Sequence, residues 1–413
     1  MSFKPKSELL TILIERGFVQ NLTNQEQLDY ILNREKIASY IGYDATAESL
    51  HVGHLVNIMM LRWTQKCGHT PITLMGGGTT KVGDPSFRSA DRPLLSENKI
   101  INNINSLNKI FDKYLDYENV DNKAIMVNNS DWLENLNYLN FLRDIGRHFS
   151  VNRMLTFESI KSRIDREQSL SFLEFNYMIL QAYDFLELNK KKNCTLQIGG
   201  SDQWGNIVNG VELIKRYSGN QVYGLTTPLI TLASGAKMGK TEQGAVWLDK
   251  KLLSPYDYWQ FWRNTDDRDV IKFLKMFTDL KIDEISKKQN DNINDLKILL
   301  ANHATTMLHG EDESKKCFEQ AKKIFLDKSS DEGLPIIKIS KNEIANKYLS
   351  DLILNAKLEN SKSEIKRLIQ NKGIKVNNSK VEKDQLVSNI NLNNKNHFKL
   401  SIGKKKHFKI ELN

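Results

Sequence analysis

The segment from Tyr40 to His54 constrains the fold of this chain more than any other part of the sequence. An apolar run at 37–43 predicts a strand, and a short polar turn leads from it into a helix that begins with His51 and His54. Residues three apart on a helix share a face, so both imidazoles should lie beside free backbone N–H groups and the positive end of the helix dipole. Gly53 leaves room for a flat ligand against the backbone. The arrangement favours a nucleotide triphosphate site, although a buried or capping histidine pair has the same spacing.

A second basic element, Lys237-Met-Gly-Lys-Thr241, follows an apolar run at 225–232. The residues between them, 233–236, are small or polar and predict a flexible loop. A loop with two lysines and a hydroxyl can close over phosphates and neutralise a departing pyrophosphate. Taken alone, a Lys-x-x-Lys pair is also typical of an ordinary solvated turn.

Polar residues in apolar surroundings lie between these two elements. Tyr177, Gln181 and Asp184 recur at i, i+4 and i+7, which predicts one polar stripe on one helix and hence the wall of a pocket. The segment 197–206, QIGGSDQWGN, predicts a strand, a glycine turn and a helix, with Asp202 near the helix start. A carboxylate there can accept ribose hydroxyls, or it can simply cap the helix.

In this order, the motifs resemble the HIGH and KMSKS signatures of class I aminoacyl-tRNA synthetases, which here read HVGH at 51–54 and KMGKT at 237–241. With the glycine run 76–78 and the segment GDPS at 83–86 added, the whole chain closely resembles the bacterial-type tyrosyl-tRNA synthetases. The resemblance implies an α/β fold with a Rossmann-like parallel-sheet catalytic domain, an α-helical domain and a small α+β RNA-binding module. The expected boundaries are 1–230 for the catalytic domain, 231–326 for the KMSKS-like loop and helical domain, 327–341 for a linker, and 342–413 for the module.

The resemblance also implies the activity and the partners. We expect the chain to activate L-tyrosine with ATP to tyrosyl-adenylate and pyrophosphate, and then to transfer tyrosine to the terminal adenosine of tRNA(Tyr). Mg²⁺ should arrive with ATP, and no protein-bound metal is expected. Members of the family are homodimers, so a dimer is expected here, with contacts contributed by residues 132–157.

Individual side chains receive roles because they match the family's motifs. Tyrosine would be bound by Tyr40 and Asp184 at its phenol, by Asp84, Tyr177 and Gln181 at its ammonium group, and by Gln203 near its carboxylate. ATP would be bound by Gly42, Asp44, Gly53, Gly199, Asp202 and Lys240, with Gly199 and Asp202 near the ribose. Catalytic groups facing the phosphates would be Thr46, His51 and His54 on one side and Lys237, Lys240 and Thr241 on the other, with Arg88 and Arg92 as further candidates.

Two positions depart from one version of the family's pattern. Ile41 offers no polar group to the ribose, and Ala45 stands in place of a proline in the turn. We expect modest effects on ATP affinity from both.

Positive charge is concentrated at the end of the chain. Residues 341–413 contain 16 Lys and Arg against 7 Asp and Glu and so carry the whole net charge of +9. A basic module on a neutral body is typical of a nucleic-acid-binding appendage, although a solvated lysine-rich tail would have the same composition. The segment 349–377 resembles a small RNA-binding module shared with a ribosomal protein and with pseudouridine synthases. Its predicted phosphate contacts are Lys366, Arg367, Lys372, Lys375, Lys404, Lys405 and Lys406.

Composition excludes several classes. With 40% hydrophobic and 26% charged residues, and with no apolar run near the ~20 residues of a membrane span, the sequence indicates a globular protein without a membrane segment. Three scattered cysteines and an N-terminus without a signal or transit pattern favour the cytoplasm. Two alternatives remain at this point: a non-catalytic RNA-binding or splicing protein on a synthetase scaffold, and a tryptophanyl-tRNA synthetase.

Overall fold

The structure is a computed structural model. It describes residues 3–84, 95–235, 237–241, 244–325, 334–340, 347–377, 379–390, 392, 397–403 and 406–412, without the side chains of 158–159, 240–241 and 324–325. The chain forms two compact units, residues 1–314 and 315–413.

A six-stranded sheet organises the first unit. Its strands are β1 (Asn21–Leu22), β2 (Ala38–Tyr43), β3 (Thr70–Met75), β4 (Ile125–Asn128), β5 (Cys194–Gly200) and β6 (Tyr223–Thr227). The order is β1-β6-β5-β2-β3-β4, and all neighbours are parallel except β1, which pairs antiparallel with β6 at the edge. Strand order therefore reverses between β2 and β5. In a parallel sheet, that reversal opens a crevice at the carboxyl ends of the two strands, where ligands bind.

The strands are apolar because helices cover both faces of the sheet. In β2, five of six residues are buried, as expected for a parallel strand. The covering and connecting helices of the first half are α1 (Glu8–Glu15), α2 (Gln25–Leu32), α3 (Leu55–Lys66), α4 (Glu97–Phe111), α5 (Ser130–Leu133), α6 (Tyr138–Asp144), α7 (Val151–Met154), α8 (Glu158–Asp165), α9 (Phe172–Lys192) and α10 (Trp204–Ser218). Helix α9 starts with a capping box in which Ser171 and Glu174 satisfy each other's backbone N–H groups, so its register is fixed at the N-terminus.

After β6, a two-stranded ribbon of β7 (Lys240–Thr241) and β8 (Gly244–Ala245) precedes a helical region. The helices are α11 (Pro255–Arg263), α12 (Val270–Phe277), α13 (Ile282–Lys287), α14 (Ile293–His309) and α15 (Glu311–Phe325), and the boundary between the units falls within α15. Gly310 separates the last two helices at φ +90°, a conformation that favours glycine. Asp279 joins this region to the end of α3 through Arg62 at 2.5 Å and Lys66 at 2.9 Å.

The second unit has its own sheet and core. It consists of β9 (Ile336–Ile339), α16 (Leu349–Asn355), α17 (Lys362–Gln370), β10 (Ile374–Val376), β11 (Ser379–Lys380), β12 (His397–Ile402) and β13 (Lys406–Leu412). The sheet order is β11-β10-β12-β13-β9, and both helices contribute buried apolar residues to the same cluster as the strands. The prediction of an α/β fold with a parallel sheet, a helical region and a small α+β module is confirmed.

Candidate active site

Strand β2 delivers Tyr40 to the crevice at the strand reversal. Tyr40 is 1% exposed, pairs in register with Gln197 of β5, and packs its ring against Phe185 at 5.3 Å between centroids. Its hydroxyl is buried and has no hydrogen-bond partner among the residues that the structure describes. Burial, with the charge of Asp184, raises the pKa of Tyr40 well above its usual value, so the phenol stays neutral. A buried hydroxyl without a partner is costly, and a polar ligand group would relieve that cost.

Helix α9 places Asp184 beside this hydroxyl, and two donors hold its carboxylate. Asn129 Nδ2 donates to one oxygen at 2.9 Å and Trp132 Nε1 donates to the other at 2.8 Å. Burial raises the pKa of Asp184 to about 7, although these two hydrogen bonds act to lower it. The charges of Asp44 and Glu187 raise it further. The two donors thus fix the position of Asp184, and its raised pKa lies close to neutral pH.

A hydrogen-bonded chain connects Asp184 to the end of β2. Asn129 Nδ2 also donates to Thr79 Oγ1 at 3.0 Å, and Thr79 Oγ1 donates to Asp44 Oδ1 at 2.8 Å. The Tyr177 hydroxyl donates to Asp44 Oδ2 at 3.0 Å, which leaves its oxygen lone pairs able to accept from a ligand. Burial raises the pKa of Tyr177 well above its usual value, so this hydroxyl keeps its proton.

A second polar group lies at the start of α10. Gln203 Nε2 donates to Asp84 Oδ2 at 2.8 Å and to Asp202 Oδ2 at 3.0 Å. Asn206 Nδ2 donates to Gln203 Oε1 at 3.1 Å and to Gln181 Oε1 at 2.9 Å. These hydrogen bonds bring together residues from α9, the start of α10 and the loop after β3. Asp202 makes no side-chain cap at this helix start.

The histidine motif forms a short 3₁₀ turn, Val52–His54, before α3 begins at Leu55. The centroids of the His51 and His54 imidazole rings lie 4.1 Å apart. His51 Nδ1 accepts from the Gly53 N–H at 3.1 Å, and His54 Nδ1 accepts from the His51 N–H at 3.2 Å. The sequence predicted free backbone N–H groups beside the two imidazoles. The imidazoles instead accept hydrogen bonds from the N–H groups of His51 and Gly53, so these two groups are not free. Burial and the neighbouring His51 lower the pKa of His54 to about 3, so His54 is neutral at physiological pH.

The lysine-containing loop packs its backbone against this turn. Met238 is buried, and its carbonyl oxygen lies 3.0 Å from where a Cβ on Gly53 would stand. Gly239 has φ +106°, and a Cβ on it would lie 2.7 Å from His51 Nδ1. The Val52 N–H donates to the Val246 carbonyl at 2.9 Å, which continues the contact beyond the loop. Glycines at 53 and 239 thus permit a close approach between the two motifs.

Several predicted residues lie at the surface or outside the described part. Gly42 is exposed although its strand is otherwise buried, so its backbone is accessible to a flat ligand. Thr46 and Lys237 are also exposed. A Cβ at Gly199 would approach Gln203 Cβ to 3.0 Å. The described ranges do not include the predicted residues Arg88, Arg92, Lys404 and Lys405, or the side chains of Lys240 and Thr241.

The two departures from the family's pattern have local explanations. Ala45, unlike the proline that it replaces, has an N–H group, which donates to Thr80 Oγ1 at 2.8 Å. Ile41 is 2% exposed and belongs to the core of the sheet.

The predicted phosphate contacts of the terminal module lie on different elements. Lys366 and Arg367 are exposed on α17, and Lys375 is exposed on β10. Lys372 pairs with Glu382 at 2.9 Å, and Lys406 pairs with Glu359 at 2.9 Å. Those two lysines would have to exchange a carboxylate for a phosphate.

Known proteins identify the family. The family described as class I tRNA synthetases (W and Y) matches residues 32–326. A tyrosine–tRNA ligase of Pelagibacter ubique is 61% identical over 96% of this chain and 98% of that protein. A tyrosine–tRNA ligase of Dinoroseobacter shibae is 51% identical over 98% of each chain. The solved structure of a C-terminally truncated mitochondrial tyrosyl-tRNA synthetase from Aspergillus nidulans superposes with a TM-score of 0.71 at 31% identity, covering 78% of this chain and 95% of that one.

The chain belongs to the bacterial tyrosyl-tRNA synthetases. Membership confirms the resemblance that the sequence motifs indicated. Membership also decides against a tryptophanyl-tRNA synthetase and against a non-catalytic RNA-binding protein. The relative that is 61% identical over 96% of this chain is a tyrosine–tRNA ligase.

This tyrosyl-tRNA synthetase uses residues in its site network that sequence reasoning did not assign there. The sequence motifs predict no role for Asn129 or Thr79. They place Trp132 only at the edge of the predicted dimer contact, 132–157, and Asn206 only at the end of the segment 197–206. A signal was available for Asn129, because it follows the apolar strand β4 at its carboxyl end, where parallel sheets place ligand-binding groups.

Two further findings concern the described part of this synthetase. No group of three or more His, Cys, Asp or Glu side chains there could hold a metal ion. No helix there is long and apolar enough to cross a membrane.

Proposed function

We propose that the crevice between β2 and β5 is where this synthetase binds L-tyrosine and ATP and joins them as tyrosyl-adenylate. Tyrosine is then transferred to the terminal adenosine of tRNA(Tyr). The observation that carries the proposal is the buried Tyr40 hydroxyl without a described partner, beside an Asp184 whose position is fixed. A phenol placed there can donate to the carboxylate and accept from Tyr40, so both buried groups gain a partner.

The tyrosine end of the site consists of Tyr40, Asp184, Asn129 and Trp132. The carboxylate of Asp184 accepts from Asn129 and Trp132, which hold it in place. Phenylalanine would leave the buried Tyr40 hydroxyl without a partner and would offer no donor to Asp184, so it should be rejected.

The amino and carboxylate groups of the substrate belong near Asp84, Tyr177, Gln181 and Gln203. Asp84 and Asp44 supply negative charge in this region, which suits an ammonium group. The Tyr177 hydroxyl, which already donates to Asp44, can accept from the same ammonium group. Gln203 donates to Asp84 and Asp202 in the unliganded protein, so it would have to exchange one of these hydrogen bonds to donate to the carboxylate that attacks ATP.

The phosphate end of the site consists of His51, His54 and the loop 237–241. Attack of the tyrosine carboxylate on the α-phosphorus builds negative charge on the phosphates, and donors aimed there lower the barrier. Lys237, Lys240 and Thr241 are the proposed donors of the loop, and Thr46, His51 and His54 are the proposed groups of the histidine turn and the segment before it. Mg²⁺ would enter bound to ATP and would neutralise phosphate charge, while the protein itself positions the reacting groups.

A second copy of the chain is the proposed partner in a homodimer. Large apolar side chains are exposed on the catalytic unit along 138–173, including Tyr138 at 61%, Leu139 at 73% and Phe172 at 70%. Most of this surface falls within or next to the predicted contact segment, and burial of such a patch is favourable. Sedimentation of the wild type and of Leu139→Asp should show a dimer and a shift toward monomer, respectively; a monomeric wild type would refute the proposal.

The terminal module is proposed to bind tRNA through its excess of positive charge. We also propose that the enzyme acts in the cytoplasm, where it would charge tRNA for protein synthesis. A chain truncated after residue 326 should activate tyrosine normally but charge tRNA poorly, because every group assigned to adenylate formation lies between Tyr40 and Thr241. Its tRNA affinity should also depend less steeply on salt, since fewer counterions are released. Full-length charging rates at subsaturating tRNA would show that the module is a solvated tail.

The direct test is ATP–pyrophosphate exchange driven by tyrosine, with tryptophan and phenylalanine in parallel. Exchange with tyrosine alone is expected. Equal exchange with tryptophan, or none with any amino acid, would contradict the proposed function.

A further inference from the structure

Asp269 contacts the lysine-containing loop from the start of α12. It is the N-cap residue of that helix and is 6% exposed, yet its side chain makes no capping hydrogen bond to the helix. Instead, Asp269 Oδ2 accepts from the Ala233 N–H at 2.7 Å. An aspartate at this position usually accepts from its own helix, so the carboxylate here stabilises a neighbouring segment in place of the helix start.

The Ala233 N–H lies in a tight turn of the loop. The Gly235 N–H donates to the Leu232 carbonyl at 2.8 Å, which closes the turn and leaves the Ala233 N–H for an acceptor outside it. Three positions after Asp269, Lys272 Nζ donates to the Thr231 carbonyl at 3.2 Å. One face of α12 therefore holds the loop at its turn and just before it.

The turn determines where the second half of the loop returns. Thr231 pairs antiparallel with Lys237, and the Met238 N–H donates to the Ile230 carbonyl at 2.9 Å. A two-stranded pairing this short is marginal by itself. Fixing the turn from outside therefore fixes the register in which Lys237 and the glycine after Met238 meet the histidine turn.

The opposite end of α12 is held by the catalytic unit. The Arg16 guanidinium donates to the carbonyls of Lys275 at 2.5 Å and Thr278 at 3.1 Å. Asp279 forms its ion pairs with α3, the helix that follows the histidine turn. Helix α12 thus connects the lysine-containing loop to the helix that carries the histidine turn.

We propose that Asp269 is a positioning residue that holds the lysine-containing loop against the histidine turn, so that the donors of the loop are in place when ATP reacts. The inference rests on the proposed function, because it assigns the ATP phosphates to this loop. Asp269 acts through the loop backbone and not on the reacting atoms. Donors that are already in position need no rearrangement as charge develops, so a loosened loop should slow the chemical step.

Asp269→Ala removes the acceptor, and Asp269→Asn keeps an oxygen that can accept from the same N–H. At saturating tyrosine and ATP, the single-turnover rate of adenylate formation should fall by about tenfold in Asp269→Ala, the usual consequence of losing a hydrogen bond to a charged group. Asp269→Asn should stay within about threefold of the wild-type rate. The Kd for tyrosine should change by less than about twofold in both, because the tyrosine end of the site lies on other elements.

Asp267→Ala is the matched control. Asp267 belongs to the same 3₁₀ turn, Asp267–Asp269, and its carboxylate pairs with Lys297 and not with the loop. This substitution also removes a negative charge near the start of α12, so it reproduces the change in helix electrostatics without breaking the contact. Its rate of adenylate formation should stay within about twofold of the wild type.

Amide hydrogen exchange tests the contact without catalysis. The Ala233 amide should be protected in the wild type and in Asp269→Asn, and it should exchange about tenfold faster in Asp269→Ala. An unprotected Ala233 amide in the wild type would overturn the inference, even if Asp269→Ala does not fold.

Three kinetic results would also overturn it. One is a wild-type rate in Asp269→Ala. Another is an equal loss in Asp269→Ala and Asp269→Asn, because the shared acceptor would then be unimportant. The third is an equal loss in Asp267→Ala, which would assign the effect to helix charge. Each of these results, in an enzyme whose wild type exchanges pyrophosphate with tyrosine, leaves the proposed function standing. A wild type that does not exchange contradicts the proposed function instead.

Discussion

At the tyrosine end, buried and half-buried side chains from four separate segments hold one another through hydrogen bonds of 2.8 to 3.0 Å. At the phosphate end, by contrast, the loop is held through its backbone, while Thr46 and Lys237 are exposed. The first arrangement suits recognition, because a rigid pocket loses little entropy when the ligand binds. The second suits a step in which donors engage as charge develops and then release pyrophosphate.

Asp184→Asn should give the largest effect and should confine it to the tyrosine end. The variant keeps the size of the side chain but removes the charge that a phenol donates to, so kcat/KM for tyrosine should fall by about 10²-fold or more. The KM for ATP should change little. The measurement is pyrophosphate exchange with tyrosine and phenylalanine in parallel. An unchanged preference for tyrosine would remove Asp184 from phenol recognition.

Gly239→Ala should act at the phosphate end alone. The new methyl group requires a strained φ of +106° and meets His51 Nδ1 at 2.7 Å, so the loop cannot close as it does here. We expect adenylate formation to slow by about 30-fold, which corresponds to strain and contact of a few kcal/mol, while tyrosine affinity stays constant.

Gly235→Ala is a close control for this change. Gly235 lies in the same loop at φ +84° but has no atom within 4 Å of a new Cβ, so it introduces backbone strain without the contact. It should slow single-turnover adenylate formation by only about threefold. Equal effects of the two substitutions would show that closure onto His51 is unimportant.

The pH dependence of tyrosine binding should also come from the tyrosine end. Because the pKa of Asp184 is about 7, the carboxylate that accepts the phenol is mostly protonated at pH 6 and mostly ionised at pH 8. Tyrosine affinity should therefore rise by about tenfold over that interval. The stability of the unliganded enzyme should instead fall over this interval. Because the pKa of Asp184 is raised, the folded state binds the proton more tightly than the unfolded state does. The stability that this proton contributes is lost as pH rises through about 7.

Calorimetric titration with tyrosine from pH 6 to 8 measures the first effect, and thermal unfolding without ligand measures the second. Asp184→Asn should flatten both profiles. Wild-type profiles in the variant would assign the titration to another group.

Sequence reasoning recovered the elements of the site better than the contacts that fix it. Tyr177, Gln181 and Asp184 could be placed on one face because helix periodicity is local. Asn129, by contrast, reaches Asp184 across 55 positions of the chain and Thr79 across 50, and no local pattern reveals a contact of that kind. The capped state of the histidine turn was also missed, because ring orientation depends on tertiary packing and not on spacing.

Tyr40→Phe tests the central claim most directly, because it removes one oxygen atom that has no described partner in the unliganded protein. If that hydroxyl recognises the substrate phenol by a hydrogen bond, the preference of the variant for tyrosine over phenylalanine should fall by about tenfold. The unfolding midpoint of the unliganded enzyme should stay the same or rise, since an unsatisfied buried hydroxyl is gone. A variant that is less stable but keeps the wild-type preference for tyrosine would contradict the account.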